Sequence, residues 1–383
     1  MESNPLSDLD RLGLSKLSRR GLFGLGASVG AAALLSACSS DKGSTSTQSP
    51  SVAGQSPSVA GFEGVDQFTV ADWGGTTDSA IRNVWGKRFT EATGIPVQSA
   101  AIDYGKLLGQ SESQNVTWDW ADVEGWYPYG HADTLEDIDY AAMDISADDL
   151  VDPALMQPNT IASYLYSFVI GYRTDSEGPH PTSWGEFFDT KAVPGKRALY
   201  NWPYGMIEIA LLGDGVAMED LYPLDVDRAL GKIDSIRGDD LIFWNSGAES
   251  QQFLVSGAAD FVVGWNPRFG VLILNGLPIG IEWNEHFRAT SNHIIPKYVQ
   301  SKEACQEFIK AALDPEAGAE FSLLAGGLGA PMKAADGFMD DKIRPLVSTT
   351  PENFALSIGA QDDTWWGENL DAVSTTWFEF VGG

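Results

Sequence analysis

The sequence predicts an α/β protein with mostly parallel sheets, on three observations. Extended and helical patterns alternate along the chain, 43% of its 383 residues are hydrophobic, and no repeat of 20 to 50 residues is present. Taken in order, 67–71 reads as a strand, and Ile81, Val84, Trp85 and Phe89 mark one face of a helix that stops at Gly94. Residues 95–101 form the second strand, and 120–123 is a strand leading to Glu124. In 163–173 the residues Tyr164, Tyr166, Phe168 and Ile170 alternate with others in a longer strand. A strand over 196–200 precedes a helix over 206–212, and a helix over 226–236 precedes a strand over 241–245. Further strands are expected at 260–265 and 279–283, and a helix over 302–313.

Composition narrows the function. There are 24 Lys and Arg against 53 Asp and Glu, a formal charge of −29, which opposes capture of a phosphate backbone and excludes nucleic acid as a partner. Two cysteines and four histidines offer neither a disulfide framework nor a cysteine-rich zinc site, so no metal and no cofactor are expected. Cys305, on the 302–313 helix, reads as a small apolar filler.

The N-terminal part reads as an address. Ser18-Arg19-Arg20-Gly21-Leu22-Phe23 opens an uncharged stretch that ends at Ala37, with the basic, apolar and small-residue order of an export signal. It resembles a twin-arginine signal, and Leu35-Ser36-Ala37-Cys38 resembles the lipobox of bacterial lipoproteins, in which the cysteine becomes the lipid-bearing N-terminus. Residues 1–37 are thus expected to be a signal peptide and Cys38 a membrane anchor on the outer side of the cytoplasmic membrane. Gly26-Ala27-Ser28-Val29-Gly30 matches the G-x-S-x-G pattern but lies inside the segment to be removed, with no strand before it. Residues 38–65 are rich in Ser, Thr, Gly and Pro and carry a tandem heptad, 48–54 and 55–61, a composition that cannot bury a core and acts as a flexible tether.

Several runs carry a family resemblance. They include Trp73-Gly74-Gly75, the segments 89–97, 182–188, 195–199 and 221–227, the run 243–252, Gly264-Trp265-Asn266, and 365–369. In order and spacing they resemble the spermidine/putrescine-type solute-binding proteins of ABC importers. The resemblance implies a type II periplasmic-binding-protein-like clamshell of two hinged lobes: 66–170 with 290–325, and 171–289 with 326–383. It implies a small organic amine such as a polyamine as ligand in the cleft, permease subunits as partners, and no enzymatic activity.

Thirteen tryptophans suit such a ligand, since an aromatic wall attracts an ammonium group by about 0.5 to 2 kcal/mol per contact. Trp85, Trp184 and Trp377 sit on apolar faces and read as core. Trp73, Trp126, Trp202, Trp265 and Trp366 match cleft positions of the family, with Tyr127 and Tyr204 beside them. Glu124 is the leading anion and Glu282 the second. Well-known polyamine binders have an acid in the strand that here reads 289–296, and two more where this chain has Trp202 and Gly205. With these three carboxylates missing, Ser291, Asn292 or His293 is left to make a hydrogen bond, and a smaller or zwitterionic amine becomes the alternative, because an ammonium buried without an anion is costly. A metal-delivery receptor of similar fold and an exported hydrolase using Asp119, Asp122 and Glu124 are the readings from other classes. The acidic runs around 133–139, 148–149 and 340–341 read as solvated surface.

Overall fold

The computed structural model describes Phe62 and residues 64–382 apart from Asp239. The signal and lipidation readings, Cys38 included, and most of the tether lie outside the described residues.

Near-continuous burial of the apolar segment Thr160–Arg173 makes it a long central strand, β5, buried over twelve of its fourteen residues. Its main partner is β9, Ile279–Ile294, and the two run antiparallel along most of their length. Around this pair a single sheet has the order β2-β1-β3-β9-β5-β8-β6-β7. On one side lie β1 (Phe68–Asp72), β2 (Val97–Ala101) and β3 (Trp120–Glu124), parallel to one another. On the other lie β6 (Arg197–Tyr200), β7 (Leu241–Trp244) and β8 (Phe261–Trp265), again parallel. Two short strands, β4 (Met156–Gln157) and β10 (Gly359–Ala360), extend β5 and β9.

Two corrections follow. Apart from the short β10, which runs parallel to β9, the sheet is parallel only in its wings, because β9 pairs antiparallel with both β3 and β5, and β8 pairs antiparallel with β5. The strand expected to end at residue 283 continues to Ile294. A local irregularity hides this continuity from the alternation pattern: the β5/β9 register shifts between Phe168 and Ile170, and Glu285 takes a left-handed backbone with φ 60°.

Each wing is covered by the helices that alternation requires. In the first, helical residues 75–93 bury Ile81, Val84, Trp85 and Phe89, as their spacing dictates. Trp85 stacks on Phe321 at 4.2 Å, and Phe68 packs between Phe89 and Phe308. Cys305 and His293 belong to this core: the thiol donates to the Asp119 carbonyl at 3.0 Å, and His293 Nδ1 accepts from Trp120 Nε1 at 3.0 Å. In the second wing Trp184 and Trp377 are buried in the core, as expected. The helix ending at Thr93 is closed by Gly94, whose φ of 75° lets its N–H reach the Thr90 carbonyl at 2.8 Å. Gly94→Ala is expected to lower unfolding stability by about 1 kcal/mol, since a side chain is strained in that conformation; urea denaturation checks it.

Candidate ligand-binding cleft

Parallel strands present their carboxyl ends at one edge, where open α/β sheets bind ligands. In the first wing these ends carry Asp72 and Trp73 after β1, and Glu124 and Trp126 after β3. In the second they carry Tyr200 and Trp265, with Arg268 in the first turn of the helix Asn266–Leu274. The crossing strand β5 contributes Tyr164 and Tyr166 between them.

The first wing supplies acids wrapped in aromatic rings. The two-residue period of β3 puts Asp122 and Glu124 on one face. Glu124 accepts from Trp126 Nε1 at 2.8 Å, and Tyr104, whose hydroxyl takes the Glu124 backbone N–H at 3.0 Å, packs edge-on against Trp126 and Trp73. Asp122 accepts from Ser163 at 2.6 Å and from Tyr164 at 2.5 Å. Asp72 takes the Gly74 N–H at 2.7 Å with one oxygen, while its other oxygen is buried without a partner among the described residues. Asp363 accepts from Tyr204 at 2.7 Å and Thr290 at 3.3 Å.

Burial dominates the electrostatics of all four acids. It pushes the Glu124, Asp122 and Asp363 carboxyls up to about 7, and Asp72 up to about 6. Each acid is raised above its unfolded value, so its favourable contribution is full at low pH and is lost as pH climbs through the folded value. The free protein is therefore expected to lose stability between about pH 4 and 7, and a bound cation to reverse that trend; thermal unfolding across this range with and without ligand checks it.

The second wing supplies donors. Trp265 lies edge-on to Tyr166, Tyr200 and Trp244, and its indole N–H is buried with no acceptor among the described residues. The Arg268 guanidinium sits 5.9 Å from the Trp265 ring and makes neither an ion pair nor a hydrogen bond among the described residues. Burial lowers its pKa, with the Tyr164 hydroxyl side opposing the shift.

Of the residues expected from sequence, Trp73, Glu124, Trp126, Trp265 and Ser291 come together. Ser291 is paired with Glu124 across β3 and β9, accepts from Trp73 Nε1 at 3.3 Å and donates to the Val123 carbonyl at 3.2 Å. The others are placed elsewhere. Trp366 is fully buried and donates to Glu208 at 2.5 Å, because with Leu370, Val373 and Trp377 it lines the inner face of the helix Asp363–Gly382. Tyr204 is buried and donates to Asp363 at 2.7 Å. Trp202 lies beside Phe378 at 5.8 Å. Glu282 pairs with His180 at 3.2 Å and caps the Asn284 N–H, and makes no contact with the cluster. Asp119, one of the acids of the hydrolase reading, is tied to the Thr69 N–H at 2.7 Å.

Tyr104, Arg268 and Asp363 are the residues that sequence reasoning missed, and Asp122 entered it only as an acid of the hydrolase reading, not as a ligand-binding residue. Asp122 was available from strand periodicity, two residues before Glu124, and Arg268 from its place three residues after Trp265. Nothing local marks Tyr104 or Asp363.

A sheet whose strand ends carry acids on one wing and donors on the other fits a receptor for a small solute, and comparison with known proteins agrees. Residues 85–353 match the family described as bacterial extracellular solute-binding protein. The gamma-aminobutyric acid-binding protein of Pseudomonas aeruginosa is 26% identical over 325 residues, 81% of this chain and 90% of that one. Among solved structures, the Atu4243 GABA receptor superposes with a TM-score of 0.75 at 35% identity, covering 82% of this chain and 97% of that one. AgtB of A. tumefaciens R10, in complex with agropinic acid, gives 0.71 at 26% identity, covering 83% and 99%.

The chain belongs to the bacterial extracellular solute-binding protein family. It has that family's two-lobed, type II periplasmic-binding-protein-like fold and is the substrate-binding component of an ABC transporter, with a small solute and the transporter's permease as partners.

Proposed function

We propose that the solute is a small amino-acid-like zwitterion of the 4-aminobutanoate type, held with its ammonium toward Glu124 and its carboxylate toward Arg268. The observation that carries this reading is the separation of charge across the cleft. Asp72, Asp122 and Glu124 stand with aromatic faces on the first lobe, whereas the second carries one acid, Asp363, together with a guanidinium and an indole N–H that have no partner among the described residues. A diamine would leave Arg268 facing a second cation, and a zwitterion satisfies both sides. The relatives named above that bind gamma-aminobutyric acid support the same class.

A ligand spanning the cleft touches both lobes, so it stabilises the closed shape by its differential affinity for that state. The hinge in this reading is the β5/β9 pair, with lobes 66–170 plus 290–325 and 171–289 plus 326–383. A thermal-shift panel of 4-aminobutanoate, α-amino acids, putrescine and spermidine tests the assignment. Stabilisation by 4-aminobutanoate and not by the polyamines is the expected result, and at about 100 times the dissociation constant it amounts to ~2.7 kcal/mol. Stabilisation by the polyamines alone contradicts it.

We also propose that Cys38 carries a lipid, on the strength of the Leu35-Ser36-Ala37-Cys38 motif. Cys38→Ala is expected to move the protein from the membrane fraction to the soluble fraction; an unchanged distribution contradicts the anchor.

A further inference from the structure

Arg268 is half-buried, yet its guanidinium makes neither an ion pair nor a hydrogen bond among the described residues. A long, flexible side chain of this kind keeps its donors free for a ligand, but it binds tightly only if its direction is set beforehand. Shape sets it, and the shape comes from the helix Gly247–Ser256, which follows β7.

Gly247 opens this helix directly after its cap, Ser246, and is buried. Its backbone asks for no glycine, since its φ lies outside the left-handed region and glycine is a poor helix former. Space is what asks for it. A Cβ added at 247 would overlap Arg268 Nε and stand 2.8 Å from Cζ and 2.9 Å from Cδ, so the three atoms nearest to it all belong to Arg268. One turn along the same helix, Gln251 donates to the Arg268 carbonyl at 2.7 Å. The helix that carries Arg268 is in turn pinned by Asn266, which is fully buried, accepts the Ser167 N–H at 2.8 Å and donates to the carbonyls of Gly327 at 2.8 Å and Leu346 at 3.0 Å. The backbone of Arg268 is thus fixed, and the direction of its side chain is left to the space kept free at Gly247.

We propose that Gly247 is a positioning residue for ligand selection: its missing side chain seats the Arg268 guanidinium against the start of the helix Gly247–Ser256, with its donors turned to the ligand carboxylate, while Gln251 holds the backbone beneath. The proposal rests on the reading that Arg268 meets a carboxylate. A methyl group at 247 turns the guanidinium away at little cost to the fold, because only the far end of a flexible side chain has to shift.

The test compares the native chain, Gly247→Ala, Arg268→Ala and the double variant by calorimetric titration with 4-aminobutanoate, thermal unfolding and magnetic resonance of the arginine Nε–H groups. Gly247→Ala is expected to lose about tenfold or more in affinity. Its unfolding midpoint stays or rises, since alanine is the better helix former. In the Arg268→Ala background the same substitution changes affinity by less than about twofold, because the group through which it acts is gone. The Nε–H resonance missing from Arg268→Ala is expected to move in ligand-free Gly247→Ala. If Gly247→Ala does not fold, Gln251→Ala serves, with a loss of about threefold or more in the native background and less than about twofold in Arg268→Ala. Native affinity in Gly247→Ala, equal losses in both backgrounds, or an unmoved resonance overturns the proposal. Native affinity in Arg268→Ala overturns the carboxylate reading and the selection role with it, whereas the resonance reports the seating of the arginine by itself.

Discussion

Arg268→Ala is expected to weaken binding of 4-aminobutanoate by about 100-fold or more, with the fold retained. A guanidinium meets a carboxylate through paired, charge-assisted hydrogen bonds, and removing one partner of a desolvated pair costs about 2 to 5 kcal/mol, or roughly 30-fold to several thousand-fold in affinity. In the free protein Arg268 holds no side chain in place, so its loss removes no ion pair from the described residues. Arg268→Lys is a discriminating companion. It keeps the charge but not the planar fork, and recovers only part of the loss. Calorimetric titration of both variants reads the effect, and affinity within a few-fold of the native protein for Arg268→Ala removes the arginine from the site.

Glu124→Ala is expected to have the second largest effect, a loss of roughly 30-fold or more for any ligand carrying an ammonium group. The carboxylate stands at the end of β3, and its partners Trp126 and Tyr104 fix its position without neutralising it. Because burial lifts its pKa to about 7, the ligand must keep it ionised, and native affinity is expected to fall as pH drops below about 7. In Glu124→Ala this pH dependence flattens, and what remains reports Asp122 and Asp363. The free variant is expected to lose less stability between about pH 4 and 7, since one raised acid is gone. A variant with native affinity, or with a native pH profile, contradicts the role given to Glu124.

The wings of the fold are legible in the sequence because their elements are local. Ile81, Val84, Trp85 and Phe89 lie on one buried face, and 226–234 forms a helix where the pattern placed it. The centre is less legible, since antiparallel pairing of β9 with both β3 and β5 is a matter of long-range register. The irregularity near Glu285 further breaks the alternation that would have shown β9 to be one strand. The site divides along the same line. Glu124, Trp126 and Trp265 follow strand ends and were readable as such. The resemblance of 365–369 placed Trp366 in the cleft, yet its position on a helix face sends it to Glu208 in the core. Asp363 reaches Thr290 and Tyr204 across 73 and 159 residues of sequence, a meeting only the folded chain reveals.

The most direct test of the cleft is a calorimetric titration of the purified protein with 4-aminobutanoate, set beside putrescine under the same conditions at pH 8. Opposed charges on the two lobes predict one 4-aminobutanoate bound per chain, with putrescine weaker by about tenfold or more. Equal or tighter binding of putrescine, or no heat from 4-aminobutanoate, would contradict the assignment of Arg268 to a carboxylate.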